Sequence, residues 1–321
     1  MNILVTGCAG FIGGHVSEKL LAMGHNVVGI DNLNDFYSPK IKEHRIELLS
    51  KFLNFKFFKG DILNEKLIAE IFAQEKIDRV CHLAARAGVR PSIEQPLLYE
   101  EVNIKGTLIL LEACKKFKVN HFVFASSSSV YGNNSKVPFS ETDNVDNPIS
   151  PYAATKKACE LMAHTYSHLY DIACVGLRFF TVYGPFGRPD MAPFIFMKNI
   201  AEATAITKFG DGNTKRDYTY IDDIVDGTIN ATLKDFASKY EIFNLGNNRA
   251  VSLNDFIATI EKVVEKKAVI KESPPFAGDV GITYADIEKA QLILEYNPQT
   301  DIEEGLKKFY KWFLDNQNIY S

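Results

Sequence analysis

The stretch that most constrains this chain lies at its amino end. Ile3-Leu4-Val5-Thr6 is a short apolar run, Gly7-Cys8-Ala9-Gly10-Phe11-Ile12-Gly13 follows it, and helical sequence continues from Gly14 to Met23. A glycine at every third position lets the backbone turn tightly and approach a pyrophosphate at a helix N-terminus, where free N–H groups attract anions. A second strand, Asn26-Val27-Val28-Gly29-Ile30, ends in Asp31. A glycine triplet alone is a common structural turn. Between a strand and a helix, with an acid after the next strand, it predicts a dinucleotide-binding βαβ unit. Gly7, Gly10, Phe11, Ile12 and Gly13 then surround the pyrophosphate, and Asp31 with Asn32 meets the ribose diol. An acid at Asp31 repels a 2′-phosphate, which favours NAD over NADP.

The first half keeps the same rhythm. Phe55–Ile62 reads as a third strand ending in Gly60-Asp61, which places Asp61 and Ile62 near the adenine. Arg79–Ala85 reads as a fourth, and its small residues let Leu83, Ala84 and Ala85 lie against the cofactor. Arg86–Pro91 is a turn carrying two cations over the cleft, one of them Arg90. A helix over Leu98–Phe117 contains Asn103, counted as a further cofactor contact, and leads to the strand Phe122–Ala125. Alternating strands and helices predict a Rossmann-type, doubly wound parallel sheet with ligands at the strands' C-terminal ends.

At that end stand Ser126-Ser127-Ser128-Ser129, several hydroxyls able to donate to a sugar oxygen. Further on, Ser150-Pro151 opens a helix, and Tyr152 and Lys156 sit four apart on one of its faces. A free tyrosine ionises near pH 10, and a neighbouring cation favours its phenolate. Tyr152 is therefore the candidate proton acceptor. An amphipathic helix on which the two residues merely coincide is the competing reading for this motif alone. The glycine turn and the serine run argue against it.

After the strand Ala173–Phe180 the rhythm changes. Gly210-Asp211-Gly212-Asn213-Thr214 reads as a hairpin turn, Glu241–Gly246 as a strand returning to the main sheet, and Ser252–Val264 and Asp301–Phe313 as capped helices. The expected division is a cofactor domain over 1–180 and 220–245 and a smaller, sequence-discontinuous α/β substrate lobe over 181–219 and 246–321.

A net charge of −4 offers no basic field for nucleic acid, and no apolar run approaches a membrane span. Five scattered cysteines without paired spacing suggest small apolar residues in a reducing compartment, so no metal site and a cytoplasmic location are expected.

The glycine triplet, Ser127, Tyr152 and Lys156 together resemble the extended short-chain dehydrogenase/reductase family, in particular its nucleotide-sugar epimerases and dehydratases. The resemblance spans essentially the whole chain. It implies that Ser127 hydrogen-bonds the sugar 4-oxygen, that Tyr152 removes the hydroxyl proton, and that Lys156 holds the nicotinamide ribose and tunes Tyr152. Ser126 is assigned to the cofactor as well as to the substrate. Arg216, with Arg178 and Arg90, are candidates for the substrate diphosphate, and Thr181 is placed in the sugar site. Relatives commonly dimerise through the helices beginning near Leu98 and Tyr152, so a homodimer is expected.

Dehydratases of this kind carry Asp-Glu where this chain has Ser128-Ser129, and the acid decarboxylases carry Glu where Ser129 stands. Simple 4-epimerisation needs neither acid. Asp31–Tyr37, Ala87–Ser92 and Gly187–Ala192 resemble the UDP-glucuronate 4-epimerase branch. A uronate carboxylate needs donors, which Arg188 with Ser126, Ser127 or Ser128 can supply. Holding that carboxylate in the ketone plane would also slow loss of carbon dioxide from a 4-keto uronate. The segment Pro274–Val280 departs from the glucose-type pattern by lacking an arginine before Gly278-Asp279, which leaves the substrate contact at Asp279 open. A UDP-glucose or UDP-N-acetylglucosamine 4-epimerase is the alternative enzyme. A non-catalytic, NAD-sensing Rossmann protein is the alternative of another class.

Overall fold

A computed structural model describes residues 1–274 and 281–320. Six strands follow in chain order: β1 (Asn2–Thr6), β2 (Asn26–Asp31), β3 (Phe55–Lys59), β4 (Arg79–His82), β5 (His121–Ser127) and β6 (Ala173–Phe179). With the Tyr240–Leu245 strand they form one seven-stranded parallel sheet, ordered β3-β2-β1-β4-β5-β6 and then Tyr240–Leu245. The chain runs outward from β1 to β3 and then returns to the other side of β1 as β4. The crevice at the carboxyl ends of β1 and β4 is thus the topological switch point, where an open α/β sheet binds its ligand.

Both faces of the inner strands are buried, so those strands are mostly apolar, whereas the edge strand β3, Phe55–Lys59, carries exposed lysines among its phenylalanines. Ile3 and Val5 face one apolar cluster and Leu4 the opposite one, as the two-residue period of a strand requires. On Leu4's side lie the helices Glu65–Glu75, Gly106–Phe117 and Pro151–Tyr170, through Ile68, Leu110 and Ala163. On the other side the cluster of Ile3 and Val5 continues past Val16 and Leu20 into Phe256, Ile260, Phe309 and Phe313. The helices Leu253–Val264 and Ile302–Asp315 therefore share a core with the first helix, Phe11–Ala22.

Beyond β6 the remaining strands form two small sheets. Lys215–Tyr220 is flanked by Thr181–Tyr183, Ala250–Ser252 and Ile282–Thr283, and Ala205–Phe209 pairs in parallel with Val269–Ser273. This corrects the hairpin expected at 210–214. The turn is present, with Gly210 and Gly212 at φ of 67° and 80°, but the strands on either side belong to different sheets. The backbone at Gly212 lies against Asn254, whose Oδ1 would be 2.1 Å from an added Cβ. That packing ties the turn to the Leu253–Val264 helix. A hairpin signal read from composition has no access to such a contact.

Candidate active site

The glycine turn is built as a cradle. Gly7 has a φ of 72°, and a Cβ there would stand 2.8 Å from the Ala84 amide nitrogen. A Cβ on Gly13 would stand 2.1 Å from the Gly7 carbonyl oxygen. Gly10 caps the Phe11–Ala22 helix without any side-chain bond, so the first amides of that helix remain available to an anion. At the end of β2, Asp31 accepts from Ala9 N at 3.2 Å and Leu33 N at 2.9 Å. Burial pushes its carboxyl above the ordinary value, partly offset by those backbone donors. Asp61 accepts from Leu63 N at 2.9 Å and from the Asn32 amide at 2.6 Å, which joins two of the predicted cofactor residues directly. Ile62 turns its side chain into the core against Gly106. Leu83, Ala84 and Ala85 continue from β4 beside β1, with Leu83 N bonded to Thr6 O and Ala84 N to Thr6 Oγ1. A close backbone cradle, an uncapped helix end and an acid one strand away together fit a bound NAD.

Asn103, expected at the cofactor, is tied into the protein around it. It is 1% exposed; its amide donates to Arg86 O and to Thr155 Oγ1, both at 3.0 Å, and its oxygen accepts from Arg86 N at 2.8 Å. With both amide protons used, it ties the loop after β4 to the Tyr152 helix. The helix carrying it widens into a π-turn over Glu100–Lys105 at this point.

The Pro151–Tyr170 helix begins as the sequence indicates, with Ser150 Oγ accepting from Ala153 N at 3.1 Å and Pro151 in the first turn. Tyr152 and Lys156 come together. The Lys156 ammonium lies 5.9 Å from the Tyr152 ring centre and donates to Ala125 O on β5 at 2.8 Å. Ser127 caps the 3₁₀ turn Ser128–Tyr131, accepting from Ser129 N and donating to Ser129 Oγ, both at 3.1 Å. Ser128 is partly buried in that turn.

Two predicted substrate contacts are corrected. The Ser126 hydroxyl points away from Ser127 and donates to Glu160 Oε1 at 2.7 Å inside the protein. Arg178 is 3% exposed and forms a two-pronged ion pair with Glu160, Nε to Oε1 at 2.8 Å and Nη2 to Oε2 at 2.9 Å. Buried this deeply, with Nε and Nη2 on Glu160 and Nη1 on Tyr131, the guanidinium cannot reach a diphosphate. Arg216 and Thr181 lie on the small sheet, with Arg216 in register with Thr283. Arg90 is exposed, its guanidinium 5.1 Å from the Phe209 ring. Asp279 lies outside the described residues.

Arg188 does come to the cleft. Its guanidinium lies 5.3 Å from the Phe36 ring, and its Nη2 is 3.5 Å from Ala87 O, the carbonyl to which Tyr99, beside Tyr152, also donates. Asp190 pairs with it through Nε at 3.0 Å and Nη2 at 2.5 Å. Burial pulls its pKa down, but the Asp190 pair more than compensates and the group stays charged. Sequence reasoning missed three neighbours. Glu160 is one turn beyond Lys156, a spacing that could have revealed it. Asp190 is two residues from Arg188. Tyr99 sets its ring edge-on to Tyr152 at 6.2 Å and donates to Ala87 O at 2.8 Å, and nothing in the sequence marked it.

A model of the NAD-dependent epimerase/dehydratase family matches residues 3–246. The chain belongs to that family. A UDP-glucuronate 4-epimerase of Thermodesulfobacterium geofontis is 50% identical over 314 residues, which cover 98% of this chain and 96% of that protein. The Bacillus cereus UDP-glucuronic acid 4-epimerase, solved with UDP-glucuronic acid and NAD, is 39% identical with a TM-score of 0.93, over 98% of this chain and 99% of that one. A Thermotoga maritima UDP-glucose 4-epimerase, solved with UDP-glucose, is 34% identical with a TM-score of 0.91, over 99% and 100% of the two chains. As a member of this family the chain is an NAD-dependent enzyme. No helix among the described residues is long and apolar enough to cross a membrane.

Proposed function

We propose that this enzyme interconverts UDP-glucuronate and UDP-galacturonate by inverting C4 of the sugar. The observation that carries the uronate assignment is Arg188, a cation that shares the Ala87 carbonyl with Tyr99, the ring set against Tyr152, so that a C6 carboxylate in the Tyr152 site can meet it. The 50% identity to a UDP-glucuronate 4-epimerase supports the same reading.

Bound NAD would supply the hydride acceptor and donor for C4. Gly7, Gly10, Phe11, Ile12 and Gly13 hold its pyrophosphate, Asp31 and Asn32 a ribose diol, and Asp61 with Ile62 the adenine end. Tyr152 Oη takes the proton of the C4 hydroxyl and returns it after the sugar has turned. The Ser127 hydroxyl donates to the C4 oxygen, where charge develops. Lys156 places its ammonium beside Tyr152, close to where the nicotinamide ribose would lie. Arg188 and the Ser128 hydroxyl take the carboxylate. Arg216, Arg90 and Thr181 serve the nucleotide-sugar from the lobe side.

The protein works as a homodimer in this reading. The Pro151–Tyr170 helix leaves Leu161 and Leu169 more than half exposed, whereas Leu111, on the Gly106–Phe117 helix, is buried in the chain's own core.

The test is to incubate purified protein with UDP-glucuronate, without added NAD, and resolve the products by anion exchange or NMR. UDP-galacturonate with little UDP-pentose is the expected result. Turnover of UDP-glucose or UDP-N-acetylglucosamine alone would transfer the assignment to those sugars. Carbon dioxide release matching epimer formation would overturn the idea that the carboxylate is held in plane.

A further inference from the structure

Behind the serine turn lies a buried network that no step of the chemistry uses. Its centre is Glu160, 1% exposed and one helical turn beyond Lys156. Two arms leave it. One is the direct bond from Ser126 Oγ at 2.7 Å. The other is Arg178, which faces Ser126 in register across β5 and β6, grips both Glu160 oxygens, and donates through Nη1 to Tyr131 Oη at 2.9 Å. Tyr131 passes the chain on to Asn244 Oδ1 at 2.7 Å, and Asn244 Nδ2 ends it on the carbonyls of Phe139 and Asp286. Every polar group in the core of this network has a partner.

Ser126 immediately precedes Ser127, and Tyr131 closes the 3₁₀ turn that Ser127 caps. The two arms therefore hold the backbone on both sides of Ser127, and both are anchored to the helix that carries Tyr152 and Lys156. We propose that Glu160 and Arg178 are a positioning pair that fixes the Ser127 hydroxyl relative to the Tyr152 hydroxyl. A hydrogen bond to charge developing on the sugar oxygen is worth most when its donor is already in place, and small displacements of the donor are costly. An apolar pair could fill the same space, but it could not hold Ser126 and Tyr131 at once. The pair touches neither substrate nor cofactor and acts through Ser127.

This inference rests on the proposed role of Ser127, and its test separates the two. Ser126→Ala and Tyr131→Phe each cut one arm and leave the ion pair intact. Each is made in the natural chain and again in a Ser127→Ala background. Wild-type turnover and the Ser127→Ala loss test the functional reading on their own, using whichever UDP-sugar the wild type turns over. The expected result is a 3- to 30-fold fall in kcat, roughly what a slightly misplaced donor forfeits, with KM and bound NAD unchanged. In the Ser127→Ala background the same substitutions should cost less than about twofold, because residues acting through one group are not additive. Equal losses in both backgrounds would overturn the proposal, and so would full activity in both single variants. Should Tyr131→Phe fail to fold by circular dichroism, the Ser126→Ala cycle alone decides.

Discussion

The two sides of the carboxyl end of β5 make opposite uses of the same residue type. On the cleft side, among the described residues, the Ser127 hydroxyl bonds only within its own turn, to Ser129, and the Tyr152 hydroxyl has no hydrogen-bond partner. On the inner side, Ser126 is committed to Glu160, and Glu160 to Arg178. Consecutive strand residues point to opposite faces, so one position in the chain separates a reacting group from a supporting one. The cleft side is left with unspent hydrogen-bonding capacity because a substrate will use it. The inner side has none to spare, since an unpaired buried polar group is costly. Substitutions on the cleft side should therefore cost activity at constant stability, and those on the inner side should cost stability as well.

The largest effect expected is that of Tyr152→Phe. Steady-state turnover should fall by roughly 10³- to 10⁴-fold, the upper range for a positioned acid–base group, while the melting temperature stays within about 1 °C of wild type. A large loss of melting temperature would break the division between the two sides. Glu160→Gln leaves the buried Arg178 charge without its counter-ion. Urea unfolding should show a loss of about 3–5 kcal/mol, and a loss below 1 kcal/mol would mean that the inner side is not the structural half.

The same inner layer contains His82, 4% exposed between Thr6 Oγ1 at 2.7 Å and Thr107 Oγ1 at 3.1 Å. Burial, with the Lys156 charge, lowers its pKa from 6.5 to about 3. The unfolded chain takes up this proton first as pH falls. The contribution is thus complete above pH 6.5, declines as pH drops from 6.5 toward 3, and levels off below that, amounting to a few kcal/mol at about 1.4 per unit. Melting temperature recorded from pH 7.5 to 4.5 should show the decline, and His82→Gln should flatten it.

On the cleft side Arg188→Leu should raise KM for UDP-glucuronate roughly 10- to 100-fold, the worth of one charge-assisted bond. KM for UDP-glucose should be nearly unchanged. Equal effects on both sugars would remove Arg188 from the carboxylate site. The smallest effect belongs to Ser150→Ala, which removes the cap of the Tyr152 helix. It should cost about 1 kcal/mol in thermal unfolding, with kcat unchanged within twofold.

The parallel sheet was legible in the sequence because its signals are local. The glycine turn, the acid after β2 and the Ser150-Pro151 helix start each lie within a few residues, and the structure puts them at one crevice. Tyr152 and Lys156 were legible because they share a helix face. Arg178 was misassigned because a guanidinium's partner is set by long-range packing. Glu160 is only 18 residues away in the chain, but β6 must lie beside β5 before the two can meet. Ser126 was misassigned because a run of four serines does not show where the strand's alternation falls. The partners that Asn103 takes inside the protein were not legible, since its amide binds backbone that composition cannot locate. The turn at 210–214 was seen, but the strands it joins separate into different sheets, because Ala205–Phe209 pairs with Val269–Ser273, far along the chain.

The apolar cluster shared by the first and last long helices also sets a timetable for synthesis. Ile3, Val5 and Val16 leave the ribosome first, yet Phe309 and Phe313, which belong to the same cluster, follow some 300 residues later. At 5–20 residues per second that interval is about 15–60 s. From the synthesis of Ala163 onward, about the second half of that interval, one face of the nascent sheet lacks part of its cover while the opposite face can close around Leu4, Leu110 and Ala163. The cell therefore handles a half-covered sheet for about 7–30 s, and the nascent chain is exposed to chaperones and proteases on one identifiable face.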